Sequence, residues 1–332
     1  MADDVRFDPE LKEATEFGKA HTRMILEAIE PYKDLDEKAM ALKKVLLNLY
    51  SPNGTGNLKQ QGEVPERAII RGSTPGENIR LNIYRPGSSG MKLPCIYNIH
   101  GGGMITGSID NNTTQLSRLS EVLGVVVVDV EYRLAPENPY PAGVNDCYDG
   151  LIWTFDNAGD LSIDPLKIGL FGESAGGGLA AAVTLKLRDS GGPKLLFQVL
   201  LAPMLDDRNN TPSSNMCSGS WPSWPREMNV LGWRALLGDR AGGGEVPFYA
   251  APARAEYLGE LPPAYIEVGD MEVFRDEDIS YAKRLMEHKV PVELHVYPGA
   301  FHSWYAQVPD ASVSKRAIRN RLEWIQNQLK RK

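Results

Sequence analysis

The chain has 332 residues, 42% of them hydrophobic and 24% charged, with a formal net charge of −7. That length holds one large domain with an accessory part. The acidic balance excludes a basic surface for nucleic acid or anionic membrane, the lack of a long apolar run argues against stable membrane insertion, and three cysteines without C-x-x-C spacing (Cys95, Cys147 and Cys217) exclude a disulfide framework and a zinc cluster.

The acidic start, Met1 to Arg6, lacks the apolar stretch of a secretory signal, so a cytoplasmic protein is expected, with Cys95 and Cys147 as buried thiols. Residues from about Pro9 to Tyr50 read as two helices separated by Pro31. Leu11, Phe17, Met24, Ile25 and Ile29 form one apolar set and Leu42, Val45, Leu46 and Leu49 the other. No strand precedes them, so residues 1–55 are expected to sit outside the sheet, as part of a cap over a site. Ser51 to Pro65 is polar and turn-rich, a linker.

The sheet is expected to begin with Arg67 to Arg71 and Asn78 to Tyr84, two strands joined by Ser73-Thr74-Pro75-Gly76. Pro94 to Ile99 is a third strand and runs into His100-Gly101-Gly102-Gly103. A helix over Thr113 to Leu123, an apolar strand over Val125 to Val130 and a helix over Ala142 to Asp156 follow. The strand Ile168 to Phe171 and the Ala- and Leu-rich helix Leu179 to Leu187 flank Gly172-Glu173-Ser174-Ala175-Gly176, and Lys194 to Leu201 is the next strand. After Leu205 the rhythm breaks. Residues 206–261 read as an insertion: a Pro- and Ser-rich segment with Trp221 and Trp224, a helix near Glu227 to Leu237, then Gly242-Gly243-Gly244. The sheet resumes with Ala264 to Val268, a helix from Asp276 to His288, the strand Val292 to Val296 and the helix Ala311 to Leu329. Apolar strands alternating with helices imply an α/β fold, a mostly parallel sheet covered on both faces, with its core over residues 56–205 and 262–332.

Ser174 carries the chemistry. A serine at a sharp strand-to-helix turn needs small neighbours, which Gly172 and Gly176 supply, and its hydroxyl then stands above the sheet end. The Ala175 N–H lies at a helix N-terminus, where developing negative charge is stabilised. A G-x-S-x-G string arises by chance in such a composition roughly one time in six, so the chain must also supply a base, an acid and an oxyanion hole. Of the five histidines, His21 and His295 lie within regular elements and His288 closes a helix; His302 follows the last strand, at the carboxyl end where catalytic groups gather in open α/β sheets. The acid should lie between serine and histidine in the chain, and the loop after Val268 offers Asp270 and Glu272, which position alone does not separate. The His100-Gly101-Gly102-Gly103 string, expected by chance on the order of one time in two hundred, lets the Gly101 and Gly102 amides approach a ligand oxygen. His100 is expected to hold that loop rather than act as a base.

These residues resemble the hormone-sensitive-lipase-like carboxylesterases of the α/β-hydrolase fold. The match is carried, in family order, by His100-Gly101-Gly102-Gly103, by Tyr132-Arg133-Leu134-Ala135-Pro136-Glu137 with Pro139-Tyr140-Pro141-Ala142 and Asp146, by Gly172-Glu173-Ser174-Ala175-Gly176-Gly177, by Phe274-Arg275-Asp276-Glu277, and by Gly299-Ala300-Phe301-His302. The resemblance implies an eight-stranded sheet with a helical cap and a triad of Ser174, Glu272 and His302. The family's acid stands three residues before the Arg-Asp-Glu string and is usually aspartate, so the resemblance selects Glu272 over Asp270. Glu173, in a place usually held by aspartate, is expected to anchor neighbouring backbone or the cap, with Glu137 and Asp146 as structural acids.

The expected activity is hydrolysis of small to medium acyl esters through an acyl-enzyme, with the Gly101, Gly102 and Ala175 amides as oxyanion hole and with no metal or cofactor. Met104, Trp221 and Trp224 are candidates to line an apolar pocket for a small-molecule ester. Transferase or lactonase chemistry is the alternative, as is a receptor, since the plant gibberellin receptors resemble this family but have lost the histidine that is present here as His302. Relatives often dimerise through the last strand, here Val292 to Val296.

Overall fold

The apolar runs of the sequence become the strands of one twisted sheet in the computed structural model, which describes residues 6–50, 64–87 and 91–331. The expected linker lies outside the described residues except for Val64 and Pro65. Two helices, α1 (Lys12–Ile29) and α2 (Leu35–Tyr50), come first, then β1 (Glu66–Arg71), β2 (Asn78–Tyr84), β3 (Leu93–Ile99), α3 (Thr113–Leu123), β4 (Val126–Glu131), α4 (Ala142–Asp156), β5 (Ile163–Glu173), α5 (Ala175–Asp189) and β6 (Gln198–Leu201). The insertion holds α6 (Pro212–Met216) and α7 (Arg226–Leu237). The chain closes with β7 (Ala264–Gly269), α8 (Arg275–Glu287), β8 (Val292–Tyr297), α9 (Trp304–Gln307) and α10 (Ser312–Leu329).

Among the described residues the sheet has eight strands in the order β1-β2-β4-β3-β5-β6-β7-β8. β2 pairs antiparallel with β1 and with β4, and every pair from β4 onward is parallel. β4 shows why. Val126, Val127, Val128 and Val130 are fully buried, so this strand meets apolar side chains on both faces. Each such valine contributes about 1.5–3 kcal/mol relative to exposure. α4, α5 and α8 cover one face and α3 and α10 the other, giving two apolar layers with the sheet between them.

The N-terminal helices pack against the insertion, and their contact face differs from the expected one. Phe17 is 71% exposed and Met24 is also exposed, while Leu11, Thr15, Gly18, Thr22, Ile25 and Ile29 are buried. A β-carbon at Gly18 would stand 3.0 Å from Pro222, so small residues let α1 approach the insertion closely. α2 lies along α7, where the Arg234 guanidinium takes both oxygens of Asp36. Among the described residues no helix is long and apolar enough to cross a membrane, and Cys95, Cys147 and Cys217 are buried free thiols.

Candidate active site

Ser174 joins β5 to α5 with φ 57° and ψ −123°, a conformation that side chains rarely adopt. Backbone bonds hold it there: its N–H donates to Leu201 O at 2.8 Å, and its carbonyl accepts from Met204 N at 2.9 Å and Gly178 N at 3.0 Å. A β-carbon at Gly176 would run into the carbonyl oxygens of Ile99 and His100, so only glycine lets α5 start so close to the end of β3. The side chain is 5% exposed, at the carboxyl ends of the parallel strands.

The glycine loop after β3 lies against this turn. A β-carbon at Gly101 would sit 3.4 Å from Ser174 Cβ, which puts the Gly101 backbone directly beside the serine. Gly102 O accepts from Ile105 N at 3.1 Å and Thr106 N at 2.9 Å, closing the loop on itself. His100 Nδ1 donates to Gly101 O at 2.8 Å, and its ring stacks on Tyr132, whose hydroxyl donates to His100 O at 3.0 Å. Burial lowers the His100 pKa and keeps the ring neutral, in keeping with a loop-holding part.

His302 follows β8 and Glu272 follows β7. His302 Nδ1 lies 2.9 Å from Glu272 Oε2, with the histidine 7% exposed and the glutamate fully buried. A carboxylate only accepts, so Nδ1 carries the proton and Nε2 is left with its lone pair. Burial lowers the His302 pKa, but the charge and hydrogen bond of Glu272, aided by the charge of Glu173, outweigh it, and the net shift is upward. Asp270 has another partner. Its Oδ1 accepts from Gly299 N at 2.6 Å, while its N–H donates to Tyr297 O at 3.0 Å, so it ties the two loops that bring Glu272 to His302. Burial raises the Asp270 pKa.

The candidate pocket residues divide between two sides. Trp221 Nε1 donates to Met271 O at 3.1 Å and its ring packs on Phe7, which places it on the acid loop. Trp224 lies on the glycine loop: a β-carbon at Gly103, whose φ is 61°, would enter its ring. Trp224 Nε1 donates to Asn229 Oδ1 at 3.1 Å, and Asn229 Nδ2 donates to Asn209 Oδ1 at 2.6 Å, so a buried polar chain fixes the indole. Gly232 of α7 meets the Gly103 carbonyl from the same side. Met104 is 3% exposed and lines a narrow slot with Tyr132, Tyr140, Leu179, Leu236 and Tyr249. A separate polar cavity of about 500 Å³, lined by Asp206, Arg208, Arg254, Asp276, Glu277 and Arg284, includes none of Ser174, Glu272 or His302.

Other motif residues bond to neighbouring backbone and side chains. Asp146 takes a bidentate grip from Arg133 at 2.8 Å per bond, Glu137 pairs with Lys43, and Glu277 accepts from Leu205 N and Asp206 N. His288 donates to Arg284 O, and His295 lies 2.9 Å from Glu293 and stacks on Tyr297. Ser303 and Asn229 were not among the residues singled out in the sequence. Their partners lie 130 and 20 residues away, and no local pattern marks them.

Residues 96–306 match the sequence model of a family described as alpha/beta hydrolase fold. Among curated proteins, the chain is similar to Esterase LipI of Mycobacterium tuberculosis, 33% identical over 250 residues that span 72% of this chain and 75% of LipI. It is also similar to Carboxylesterase NlhH of the same species, 34% identical over 229 residues, 68% of this chain and 71% of that protein. Among solved structures, Bacterial Heroin Esterase superposes with a TM-score of 0.83 at 34% identity, covering 98% of this chain and 99% of its own.

Proposed function

The chain belongs to the hormone-sensitive-lipase-like carboxylesterases of the α/β-hydrolase fold, and from that premise we propose that Ser174 is its nucleophile, His302 its general base, Glu272 the acid that orients the base, and the N–H groups of Gly101, Gly102 and Ala175 its oxyanion hole. The protein is a carboxylic ester hydrolase. The observation that carries the assignment of roles is the buried 2.9 Å contact between His302 and Glu272, on the sheet end where the strained Ser174 turn stands.

In this reading, His302 Nε2 takes the proton of Ser174 Oγ as the oxygen attacks the ester carbonyl. The new oxyanion is met by amides that the fold has already oriented, so little reorganisation is needed as charge develops. His302 passes its proton to the leaving alcohol, leaving an acyl-serine. A water, deprotonated by the same nitrogen, attacks that acyl group, and the serine is released with the carboxylic acid. Glu272 stabilises the imidazolium in both halves of the cycle. The substrate class is small to medium acyl esters, supported by the buried Met104 and by the Trp224 ring fixed over Gly103. Three buried thiols favour a reducing cytoplasm, and β8, an edge strand with unpaired backbone groups, is the face through which two copies would pair.

The test is release of p-nitrophenol from acetate, butyrate and octanoate esters by the wild type, Ser174→Ala and His302→Ala. The expected result is turnover by the wild type, fastest on the shorter chains, with both variants reduced to near background. A folded wild type inert on every ester, or an active Ser174→Ala, overturns the assignment.

A further inference from the structure

Ser174 and His302 come from strands that are not neighbours. β6 and β7 separate β5 from β8, so at about 4.8 Å per interval the strand axes lie roughly 14 Å apart. The loops must lean together across two strands to bring a serine and an imidazole within hydrogen-bonding reach, and a tie is needed to hold them. The residue before the nucleophile and the residue after the base provide one. Ser303 Oγ donates to Glu173 Oε1 at 2.6 Å. Ser303 adopts a left-handed conformation, φ 58° and ψ 29°, at the start of α9, where its hydroxyl turns toward β5.

We propose that Glu173 is a positioning residue for ester hydrolysis, whose carboxylate ties the nucleophile turn to the histidine loop through Ser303 and places a second negative charge near the imidazole. The inference rests on the catalytic roles assigned above. The groups around this tie come from each adjoining element. Glu272, after β7, is the other acid at His302. From α9, Tyr305 stands close enough for the Glu173 charge to raise its pKa, after burial, the larger cause. From α10, the Arg321 guanidinium lies 4.4 Å from the Tyr305 ring centroid and pairs with Glu267 of β7, so its charge is matched elsewhere. Glu173 thus accepts from the Ser303 hydroxyl, and its charge is among those that lift the His302 pKa, after the charge and hydrogen bond of Glu272. Gln307 Nε2 donates to His302 O at 3.3 Å and steadies the same loop from the far side.

The tie and the charge separate experimentally. Ser303→Ala removes the donor and keeps the charge; Glu173→Gln keeps an acceptor oxygen and removes the charge; Glu173→Asp keeps the charge and shortens the reach. With p-nitrophenyl acetate followed between pH 5 and 9, Ser303→Ala and Glu173→Asp are expected to lower kcat about tenfold with KM within about twofold and the acid limb of kcat/KM unmoved. Glu173→Gln is expected to keep kcat within a few-fold while its acid limb moves to lower pH by about half a unit. Ser303→Ala placed in a Glu173→Ala background should cause no further loss. A residue that served folding alone would change thermal stability but not the limb, so melting curves accompany each variant. If His302→Ala is inactive while Ser303→Ala and Glu173→Gln both match the wild type, the tie is overturned and the catalytic reading stands. If His302→Ala stays active, both fall.

Discussion

Replacing Glu272 by glutamine keeps the size of the side chain and removes the charge that faces His302. Nδ1 and Oε2 are 2.9 Å apart and both groups are buried. With charge centres about 4 Å apart and an effective dielectric constant near 20, the ion pair formed when, in the proposed mechanism, the histidine takes the serine proton is worth about 4 kcal/mol. Losing it corresponds to about 10³-fold in kcat. Glutamine also offers an N–H where the carboxylate offered only acceptors, so part of the population holds the ring with the wrong nitrogen protonated. The expected result is a plateau kcat/KM for p-nitrophenyl acetate near one thousandth of wild type, with the acid limb moved to lower pH because the imidazolium has lost its counter-charge. Asp270→Asn, which loosens the loop tie to Gly299 but leaves the Glu272 charge in place, should cost far less. A Glu272→Gln plateau within tenfold of wild type, with Asp270→Asn as the more damaging change, would refute the electrostatic reasoning and move the acid to Asp270.

Three further outcomes follow from the same geometry. In the wild type, kcat/KM should rise with pH through a value above the usual imidazole range of about 6.5, because the net shift at His302 is upward and only the neutral ring can accept the serine proton; an acid limb below that range contradicts it. Gly103→Ala drives a methyl group into the Trp224 ring and distorts the glycine loop, at an expected cost of about 10²-fold in kcat, part of which Trp224→Ala in the same chain should restore. Asp278 is fully buried, neither carboxylate oxygen has a hydrogen-bond partner, and burial, then the charges of Glu277 and Glu272, push its pKa well up. The folded state therefore holds a proton that the unfolded chain releases, and stability falls as pH rises above the unfolded value, by about 1.4 kcal/mol per unit. Asp278→Asn should gain stability over wild type as pH rises above about 4 in urea titrations, and a difference that does not change with pH contradicts this.

The sequence marked elements well where local pattern and fold agree. Asn78 to Tyr84, Thr113 to Leu123 and Ala142 to Asp156 have the bounds their apolar spacing gave. It misread β5, which begins at Ile163 because Ile163 pairs with Leu93 across an irregularity in register, while Asp164, Pro165 and Lys167 interrupt the apolar run before Ile168. It placed the start of β6 at Lys194, whereas the regular strand begins at Gln198, just after Leu196 N and Phe197 O have bonded to β5. On α1 the large side chains Phe17 and Met24 drew attention, yet both are exposed, while Thr15, Gly18 and Thr22 are buried and Gly18 makes the close approach to Pro222 of the insertion. α6 and α9 are too short for periodicity to show. At the site, local composition singled out Ser174, His302 and the glycine loop, and the structure puts all three at the carboxyl ends of parallel strands. The choice between Glu272 and Asp270 came from family resemblance, since both stand in one loop and only the three-dimensional path shows which carboxylate reaches His302 and which binds Gly299. Ser303 was invisible for the same reason.

The contact of α7 and Trp224 with Gly103 also bears on how substrate arrives. A lid that swings open at an oil–water boundary must part from the catalytic floor beneath it. Here the indole and Gly232 rest on the glycine loop itself, so a swing of α7 would disturb the backbone proposed to bind the oxyanion along with the roof. Entry is therefore left to gaps between a fixed roof and fixed walls, and the rate should track the concentration of dissolved ester smoothly, with no lag and no jump when the substrate begins to form droplets.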